Sequence, residues 1–332
     1  MEWDVLGHEW AARLLAQHIA NGEARHAYLF TGPPGVGRRT LALRFAQALN
    51  CERPPAPGQP CRTCRNCTQM ERMQHPDLSL VQAEMEGATL KVEQIRELQH
   101  ALVLSPYQAR YRIALLLRFQ EANPNAQNAL LKTLEEAPEK VILLLTADTA
   151  ESLLPTISSR CEVLRLRPLP VEGLEIALQT YWAQPPALAR RLAHLTGGRV
   201  GAAVRMVNEP ALLERRQAWL ADLQELLAAP IRQRFAYADR ATRGKEKAAL
   251  LPEMIQTWLA YWRDVLLVAS GAQSPLSNLD CEAQIRRLAG QMSLEGAQAR
   301  TADLERALER LDANVNARLL VEVLLLDWPD LQ

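Results

Sequence analysis

The chain has 332 residues, of which 48% are apolar and 23% are charged, as in an ordinary globular protein with room for two or three domains. Its 38 basic and 38 acidic residues cancel, whereas a free-standing nucleic-acid-binding protein usually carries a basic excess. The N-terminus is polar, and apolar runs such as 113–117 and 141–145 are far shorter than the roughly 18 residues of a membrane span. We therefore expect no signal peptide, no membrane contact and a cytoplasmic location.

The predicted elements alternate between strands and helices in the first half of the chain, which indicates a parallel sheet with helices on both faces. Periodicity and turn residues predict helices at 9–21, 39–50, 91–104 and 123–137, and strands at 27–30, 78–81, 112–117, 141–146 and 162–166. The second half is helical, with a small unit at 171–208 and helices at 212–228, 231–242, 252–268, 280–291, 294–311 and 317–327. Pro168, Pro170 and Pro210 mark the boundaries between these regions.

The turn after the first strand is typical of a phosphate-binding P-loop. Gly32 and Gly37 hold the glycine positions of G-x-x-x-x-G-K-[ST], and the backbone N–H groups of such a turn close around an anion without any side chain. Arg38 replaces the lysine, and its planar fork does not mimic a compact ammonium group. Arg39 replaces the hydroxyl residue that ligates magnesium, and Thr40 lies about 100° further round the helix.

A second departure follows the strand predicted at 112–117. In a working P-loop ATPase this strand ends in Asp or Glu, which holds magnesium. Here it runs into Leu117-Arg-Phe-Gln120, and the first acidic residue is Glu121. Because both departures remove metal ligands, we interpret this region as a nucleotide-binding fold whose hydrolytic site is disabled. The sequence leaves open whether the loop still binds ATP without turning it over.

Four of the six cysteines, Cys51, Cys61, Cys64 and Cys67, form a cluster. Overlapping C-x2-C pairs in a chain expected in the cytoplasm indicate a metal site rather than disulfides. The prolines and the glycine between Cys51 and Cys61 exclude regular structure, so the segment has no core of its own. We expect a structural Zn²⁺ bound tetrahedrally by the four thiolates. The alternative is a set of reduced surface thiols without a metal.

Together these features resemble the bacterial clamp-loader ATPase family, an AAA+ family of the DNA polymerase III holoenzyme. The resemblance rests on segment 26–37, the cysteine cluster and the motifs Asn128-Ala-Leu-Leu-Lys-Thr-Leu-Glu-Glu136, Leu154-Pro-Thr-Ile-Ser-Ser-Arg-Cys161, Gly197-Gly-Arg199 and Asn314-Val-Asn-Ala-Arg-Leu319. It implies an α/β AAA+ P-loop domain with a parallel sheet at 1–167, including the zinc module at 51–67. A small helical lid domain at 168–209 and an all-α collar domain at 210–332 would follow.

Members of this family open a ring-shaped sliding clamp and place it on primed DNA, using ATP bound between neighbouring subunits. The catalytic gamma/tau subunits keep an intact P-loop and an acidic strand end, both of which this sequence lacks. The resemblance therefore implies a non-hydrolysing subunit that is not an enzyme by itself. Its implied partners are the gamma/tau and delta subunits, the sliding clamp and primer–template DNA.

The resemblance also implies roles for single residues. Arg160, in Ser159-Arg160-Cys161, would be an arginine finger that reaches in trans into a neighbour's ATP site. Thr146 resembles a polar sensor of the γ-phosphate, and Arg199 resembles a lid arginine that senses nucleotide. The implied remnant of the nucleotide site comprises Gly32, Gly35, Gly37, Arg38, Arg39, Thr40, Thr146 and Arg199.

Alternatives remain for these residues and for the whole chain. Arg160 and Arg199 could each form an ordinary ion pair, and Lys132, which in the family faces DNA, could be a solvated surface lysine. The chain could be an ATP-hydrolysing gamma/tau-like subunit in which Arg38 and Thr40 supply the missing groups. It could also be a stand-alone zinc-containing nucleic-acid-binding protein, although its zero net charge argues against this.

Overall fold

The computed structural model describes residues 2–85, 87–312 and 315–329. Asn314, the first residue of the last motif quoted above, lies outside these ranges. The described residues form two compact units, one running up to Leu169 and including Arg199–Ala202, the other formed by Pro170–Gly198 and the chain from Ala203 onwards. Within the described ranges, no helix combines the length and the apolar character needed to cross a bilayer.

The first unit is an α/β structure built on one parallel sheet. Its strands are Ala27–Thr31 (β1), Leu78–Val81 (β2), Arg112–Leu116 (β3), Val141–Ala147 (β4) and Glu162–Arg165 (β5). Its helices are Glu9–Asn21 (α1), Arg38–Leu49 (α2), Arg65–Glu71 (α3), Val92–Leu102 (α4), Pro124–Glu135 (α5) and Pro155–Ser158 (α6), with short 3-10 helices at Glu2–Asp4 and Phe119–Glu121. The predicted parallel α/β fold is confirmed.

The strand order β2-β3-β4-β1-β5 determines which loops meet at the carboxyl edge of the sheet. Strands β1, β3 and β4 are buried along their whole length, because helices cover both faces of their apolar sequences. Since Thr31 at the end of β1 pairs with Ala147 at the end of β4, the P-loop and the segment after β4 emerge side by side. Ligands of open parallel sheets bind at this edge.

The second unit is entirely helical in the described residues. Its helices are Val171–Trp182 (α7), Pro186–Thr196 (α8), Val200–Asn208 (α9, whose first residues belong to the first unit), Pro210–Leu227 (α10), Ile231–Thr242 (α11), Lys245–Ala249 (α12), Leu251–Ala269 (α13), Glu282–Gln291 (α14), Leu294–Asp312 (α15) and Ala317–Leu326 (α16). Trp258 and Trp262 of α13 are fully buried, as their spacing predicts, and both pack edge-on against Trp328, with ring centroids 5.0 and 6.2 Å away.

A partly exposed polar link joins α8 to α10 inside the second unit. The Asp280 carboxylate accepts hydrogen bonds from Arg216 of α10 at 2.7 Å and from Arg191 of α8 at 2.8 Å. Burial alone would raise the pKa of Asp280, but the two guanidinium groups, Arg216 above all, outweigh it and lower the pKa. Asp280 is therefore ionised at neutral pH and connects the two helices.

Candidate functional site

The P-loop backbone forms hydrogen bonds and close packing contacts with other segments of the first unit. The Gly32 N–H donates to the carbonyl oxygen of Asp148 at 3.0 Å, and the Ala202 N–H donates to the carbonyl oxygen of Gly35 at 3.2 Å. A Cβ on Gly32 would lie 2.5 Å from the backbone oxygen of Leu166, and one on Gly35 would lie 2.8 Å from the Cβ of Ala202. Both glycines, each with positive φ, are thus required by packing within the chain as well as by the loop conformation.

Arg38, which replaces the P-loop lysine, points at a carboxylate of its own chain. Its Nη1 lies 2.7 Å from Oδ1 of Asp148, and its side chain is only 9% exposed. The adjacent Arg39 and Thr40 are exposed on α2. The cation at the lysine position is therefore neutralised by an internal ion pair, and neither following residue turns into the fold.

The groups after β3 and in β4 are also used internally. The buried Thr146 hydroxyl accepts a hydrogen bond from the Arg118 N–H at 2.8 Å. The Arg118 side chain donates to Glu121 at 2.8 Å, and the same carboxylate oxygen accepts from the Gly87 N–H at 2.9 Å. Both the polar side chain in the sensor position and the first acid after β3 thus bind protein groups.

Arg199 lies against the P-loop, where the sequence motif predicts a nucleotide-sensing arginine. Its Nη1 donates to the carbonyl oxygen of Pro34 at 3.4 Å, and burial lowers the pKa of its guanidinium. The following residues approach the loop closely, since a Cβ on Gly201 would lie 2.9 Å from the oxygen of Gly35. The start of α9 therefore packs directly on the loop backbone.

Arg160 lies just after α6 and is partly exposed. Its Nη2 forms an ion pair with Oε1 of Glu135 at 2.8 Å, and its Nη1 donates to the carbonyl oxygen of Thr156 at 2.9 Å. The Arg160 side chain is 37% exposed and that of Glu135 is 50% exposed. The structure thus contains the surface ion pair that was the alternative reading of Arg160, and it leaves the guanidinium accessible. Lys132, on the same helix as Glu135, is exposed.

The turn that carries Arg160 is fixed by proline, packing and a side-chain hydrogen bond. Pro155 opens α6, where its missing N–H is tolerated, and Ile157 is completely buried. Gln127 of α5 accepts a hydrogen bond from the Leu154 N–H at 2.9 Å. Burial raises the pKa of Cys161 to about 12, so this thiol is protonated and inert at neutral pH.

The four cysteines form a candidate metal centre. The sulfur atoms of Cys51, Cys61, Cys64 and Cys67 all lie within 4.8 Å of one another. Zinc–sulfur bonds of about 2.3 Å in a tetrahedron place sulfurs about 3.8 Å apart, so this donor set fits Zn²⁺. The N–H groups of Cys61 and Cys64 point at the sulfurs of Cys51 and Cys61, each at 3.2 Å. Burial alone would raise the pKa of Cys61, but backbone N–H donors outweigh it and lower the pKa to about 6, whereas burial raises the pKa of Cys51 and of Cys67. The thiolate that metals bind is therefore favoured at Cys61.

The cysteine segment is anchored to α1 and α2. Gln47 of α2 donates to the carbonyl oxygen of Cys67 at 2.8 Å, and the Trp3 ring N–H donates to that of Gly58 at 3.0 Å. A Cβ on Gly58 would lie 2.5 Å from the backbone oxygen of Ala16, so only glycine fits there. The segment is thus positioned by long-range contacts as well as by its own cysteines.

Two residues of this region, Asp148 and Glu135, were not predicted from the sequence. Asp148 is the first residue after β4, and only the sheet order shows that it emerges beside the P-loop. Glu135 lies inside a motif that was recognised, but its contact with Arg160 spans 25 residues and leaves no periodic signal.

Comparison with known proteins identifies the family. The model "DNA polymerase III, delta subunit" matches residues 7–170, and its C-terminal counterpart matches residues 212–330. The DNA polymerase III subunit delta' of Bacillus subtilis is 31% identical over 95% of this chain and 94% of that protein. The delta' subunit of Pseudomonas aeruginosa is 33% identical over 63% of each chain, and the tau subunit of Escherichia coli is 32% identical over 62% of this chain and 32% of its own.

A gamma-subunit-related protein of Thermotoga maritima, of known structure, is 18% identical with a TM-score of 0.47, covering 96% of this chain and 97% of its own. The relatives found by sequence include both delta' and tau subunits. The delta' subunit of Bacillus subtilis matches this chain over most of its length. The chain therefore belongs to the delta-prime family of bacterial DNA polymerase III clamp-loader subunits, which is related to the gamma/tau subunits.

Proposed function

We propose that this chain is a non-hydrolysing subunit of the DNA polymerase III clamp loader that supplies Arg160 in trans to the ATP site of a neighbouring subunit. The observation that carries the proposal is the opposite placement of two arginines. Arg38 is buried against Asp148, whereas Arg160 is partly exposed next to Glu135. The chain's own P-loop side chains serve its fold, and the other cation is available to a partner.

The chemistry of Arg160 is that of an arginine finger. A guanidinium carries five N–H donors in a planar fork, and contacts with Thr156 and Glu135 need only two of them. The group can therefore meet the oxygens of a phosphoryl group on a neighbouring chain while staying attached to its own turn. Such fingers stabilise the charge that develops on the transferring phosphoryl group, and they raise the rate of hydrolysis by a factor of about 10³–10⁵.

The proposal assigns the remaining parts of the chain to assembly. Residues 1–167 are the AAA+ domain, 168–209 the lid and 210–332 the collar that joins the gamma/tau and delta subunits. Lys132 faces primer–template DNA when the assembled loader holds the sliding clamp. Cys51, Cys61, Cys64 and Cys67 hold a structural Zn²⁺, since four thiolates leave no open coordination position.

The Arg160→Ala variant in a reconstituted loader tests the trans role. With gamma/tau and delta subunits, sliding clamp and primed DNA present, we expect hydrolysis at the adjacent ATP site to slow about 10³-fold. In pre-steady-state kinetics, the amplitude of the burst of ATP hydrolysis would fall by the amount that the adjacent site contributes. Arg165→Ala is the control, because Arg165 is a 71% exposed arginine of the neighbouring strand β5.

An unchanged burst with Arg160→Ala would refute the trans role. Turnover by the isolated chain that disappears in Arg38→Ala would instead support an ATP-hydrolysing gamma/tau-like subunit. Binding of the isolated chain to DNA, with a strong dependence on salt, would support the stand-alone nucleic-acid-binding alternative.

Metal analysis tests the zinc assignment. We expect about one zinc per purified chain, and a small fraction of that in Cys64→Ser, because three thiolates bind Zn²⁺ far less tightly than four. Cys281→Ala is the matched control, since Cys281 is a buried cysteine in the second unit, outside the cluster. A metal-free preparation with unchanged circular dichroism and thermal stability would contradict a required structural zinc.

A further inference from the structure

We propose that Glu135 is a positioning residue for Arg160, holding the guanidinium in the orientation in which it meets the neighbour's phosphate. This inference rests on the proposed function of Arg160 and extends it to a second residue, on a different helix. Glu135 touches neither nucleotide nor DNA in this role, and it acts only through Arg160.

The geometry around Arg160 fixes the plane of its guanidinium. Nη1 is bonded to the carbonyl oxygen of Thr156 at 2.9 Å, and Nη2 is 2.8 Å from Oε1 of Glu135. These contacts come from two directions, one from the α6 turn and one from the end of α5. A long side chain that would otherwise sample many rotamers is therefore held at two of its donor atoms.

Helix α5 acts as a platform for the whole turn. Near its start, Gln127 accepts the N–H of Leu154, the residue before α6, and at its last residue Glu135 binds the arginine that follows α6. Gln127 is itself buried and donates to the carbonyl oxygen of Ala122 at 3.0 Å. The turn is thus attached to one rigid helix at both of its ends.

The exposure of the pair argues against a role in stability. Arg160 and Glu135 are 37% and 50% exposed, and ion pairs with such exposure contribute little to folding. A preorganised cation, in contrast, raises the rate of a reaction in a partner's site, because its orientation is set before the transition state forms. Loss of Glu135 should therefore affect turnover at the adjacent site and leave the fold intact.

The test compares Glu135→Ala with Glu136→Ala in the complete, reconstituted loader. Glu136 is the next residue and is also exposed, so the control makes the same change of charge at nearly the same place. We expect Glu135→Ala to lower kcat at the adjacent ATP site about 10-fold, with KM for ATP changed less than about twofold. Glu135→Gln, which keeps an acceptor oxygen, should recover most of the rate, and Glu136→Ala should match the wild type.

A double variant shows whether Glu135 acts through Arg160. In the Arg160→Ala background, Glu135→Ala should cause no further loss, because the group that it orients is gone. A further loss there would overturn the inference, as would a kcat for Glu135→Ala equal to that of Glu136→Ala. If Arg160→Ala itself has no effect, the proposed function fails; if only the Glu135 variants have none, the positioning role fails alone.

Discussion

The α/β unit contains two arginines to which the proposed function gives opposite roles, Arg38 in the P-loop and Arg160 after α6. Each has a carboxylate partner at a nearly equal distance, 2.7 Å for Asp148 and 2.8 Å for Glu135. They differ in exposure, since 9% of the Arg38 side chain reaches solvent against 37% of Arg160. The length of the ion pair therefore does not distinguish the two arginines, whereas the burial of their side chains does.

A third ion pair of the same unit is the most buried of the three, because its carboxylate is not exposed at all and its arginine side chain, like that of Arg38, is 9% exposed. Arg112 of β3 lies 3.3 Å from the carboxylate of Asp77, which is completely buried. That carboxylate also accepts the backbone N–H groups of Tyr107, Gln108 and Ala109 at 2.7 to 2.8 Å. The three pairs form a series in which the contribution of the ion pair to the free energy of unfolding should fall as its exposure rises.

The largest effect is expected at the buried end of the series, for Asp77→Asn. Losing the charge removes the counter-ion of Arg112, whose guanidinium keeps the carbonyl oxygens of Ala101 and Ser105 as acceptors, and it weakens three backbone contacts. We expect a cost of about 3 kcal/mol in the free energy of unfolding. Urea unfolding of the full chain, followed by circular dichroism, measures this change. A decrease in the free energy of unfolding of less than about 0.5 kcal/mol would contradict the proposed relation between the burial of an ion pair and its contribution to stability.

The same variant makes a prediction about pH. Burial alone would raise the pKa of Asp77, but the backbone donors and Arg112 outweigh it and lower the pKa below its ordinary value. The contribution of Asp77 is therefore complete above the unfolded-state pKa of about 4 and is lost as the pH falls through the folded-state pKa. The difference in stability between wild type and Asp77→Asn should shrink steadily below about pH 4, and a constant difference would contradict the assignment.

An intermediate effect is expected for Asp148→Ala. The Arg38 side chain stays buried without its partner, but Asp148 is 41% exposed and water screens part of the interaction. We expect a loss of about 1–2 kcal/mol, measured by the same urea unfolding. Asp148→Asn, which keeps an acceptor for Arg38, should lose less than the alanine variant. If Asp148→Ala and Glu135→Ala lowered the free energy of unfolding by equally small amounts, burial would not distinguish the ion pair of Arg38 from that of Arg160.

The smallest effect is expected for repair of the P-loop sequence. Arg38→Lys combined with Arg39→Thr restores the G-K-[ST] pattern, but the strand β3 still continues into Leu117 and Arg118 without an acid. The isolated variant should hydrolyse ATP no faster than the wild-type chain, with a gamma/tau subunit assayed in parallel as the positive control. Turnover above that background would show that the side chains of the loop alone disable the site.

Local sequence signals predicted most of the α/β architecture. Helix α1 was predicted with its observed bounds, and β1, the P-loop and α2 follow one another as the glycine pattern indicates. The family was also recognised correctly from its motifs, because these are contiguous stretches that a single sequence displays. Helices α3, α6 and α12 were not predicted, since each has seven residues or fewer and too few turns to show a period.

The partners of the site residues could not be predicted in the same way. Arg38 and Asp148 are 110 residues apart and meet only because β1 and β4 are adjacent in the sheet. Arg199 reaches Pro34 across 165 residues of sequence. Composition and periodicity carry no information on such pairings, so the sequence identified candidate groups but not what each one binds.

The Asp280 link in the helical unit has a mechanical consequence. One carboxylate holds Arg191 of α8 and Arg216 of α10, and His194 of α8 adds a contact with the carbonyl oxygen of Leu276 at 2.9 Å. These contacts connect α8 both to α10 and to the segment before α14. A change in the orientation of α8 would therefore either carry α10 with it or break one of the two ion pairs of Asp280.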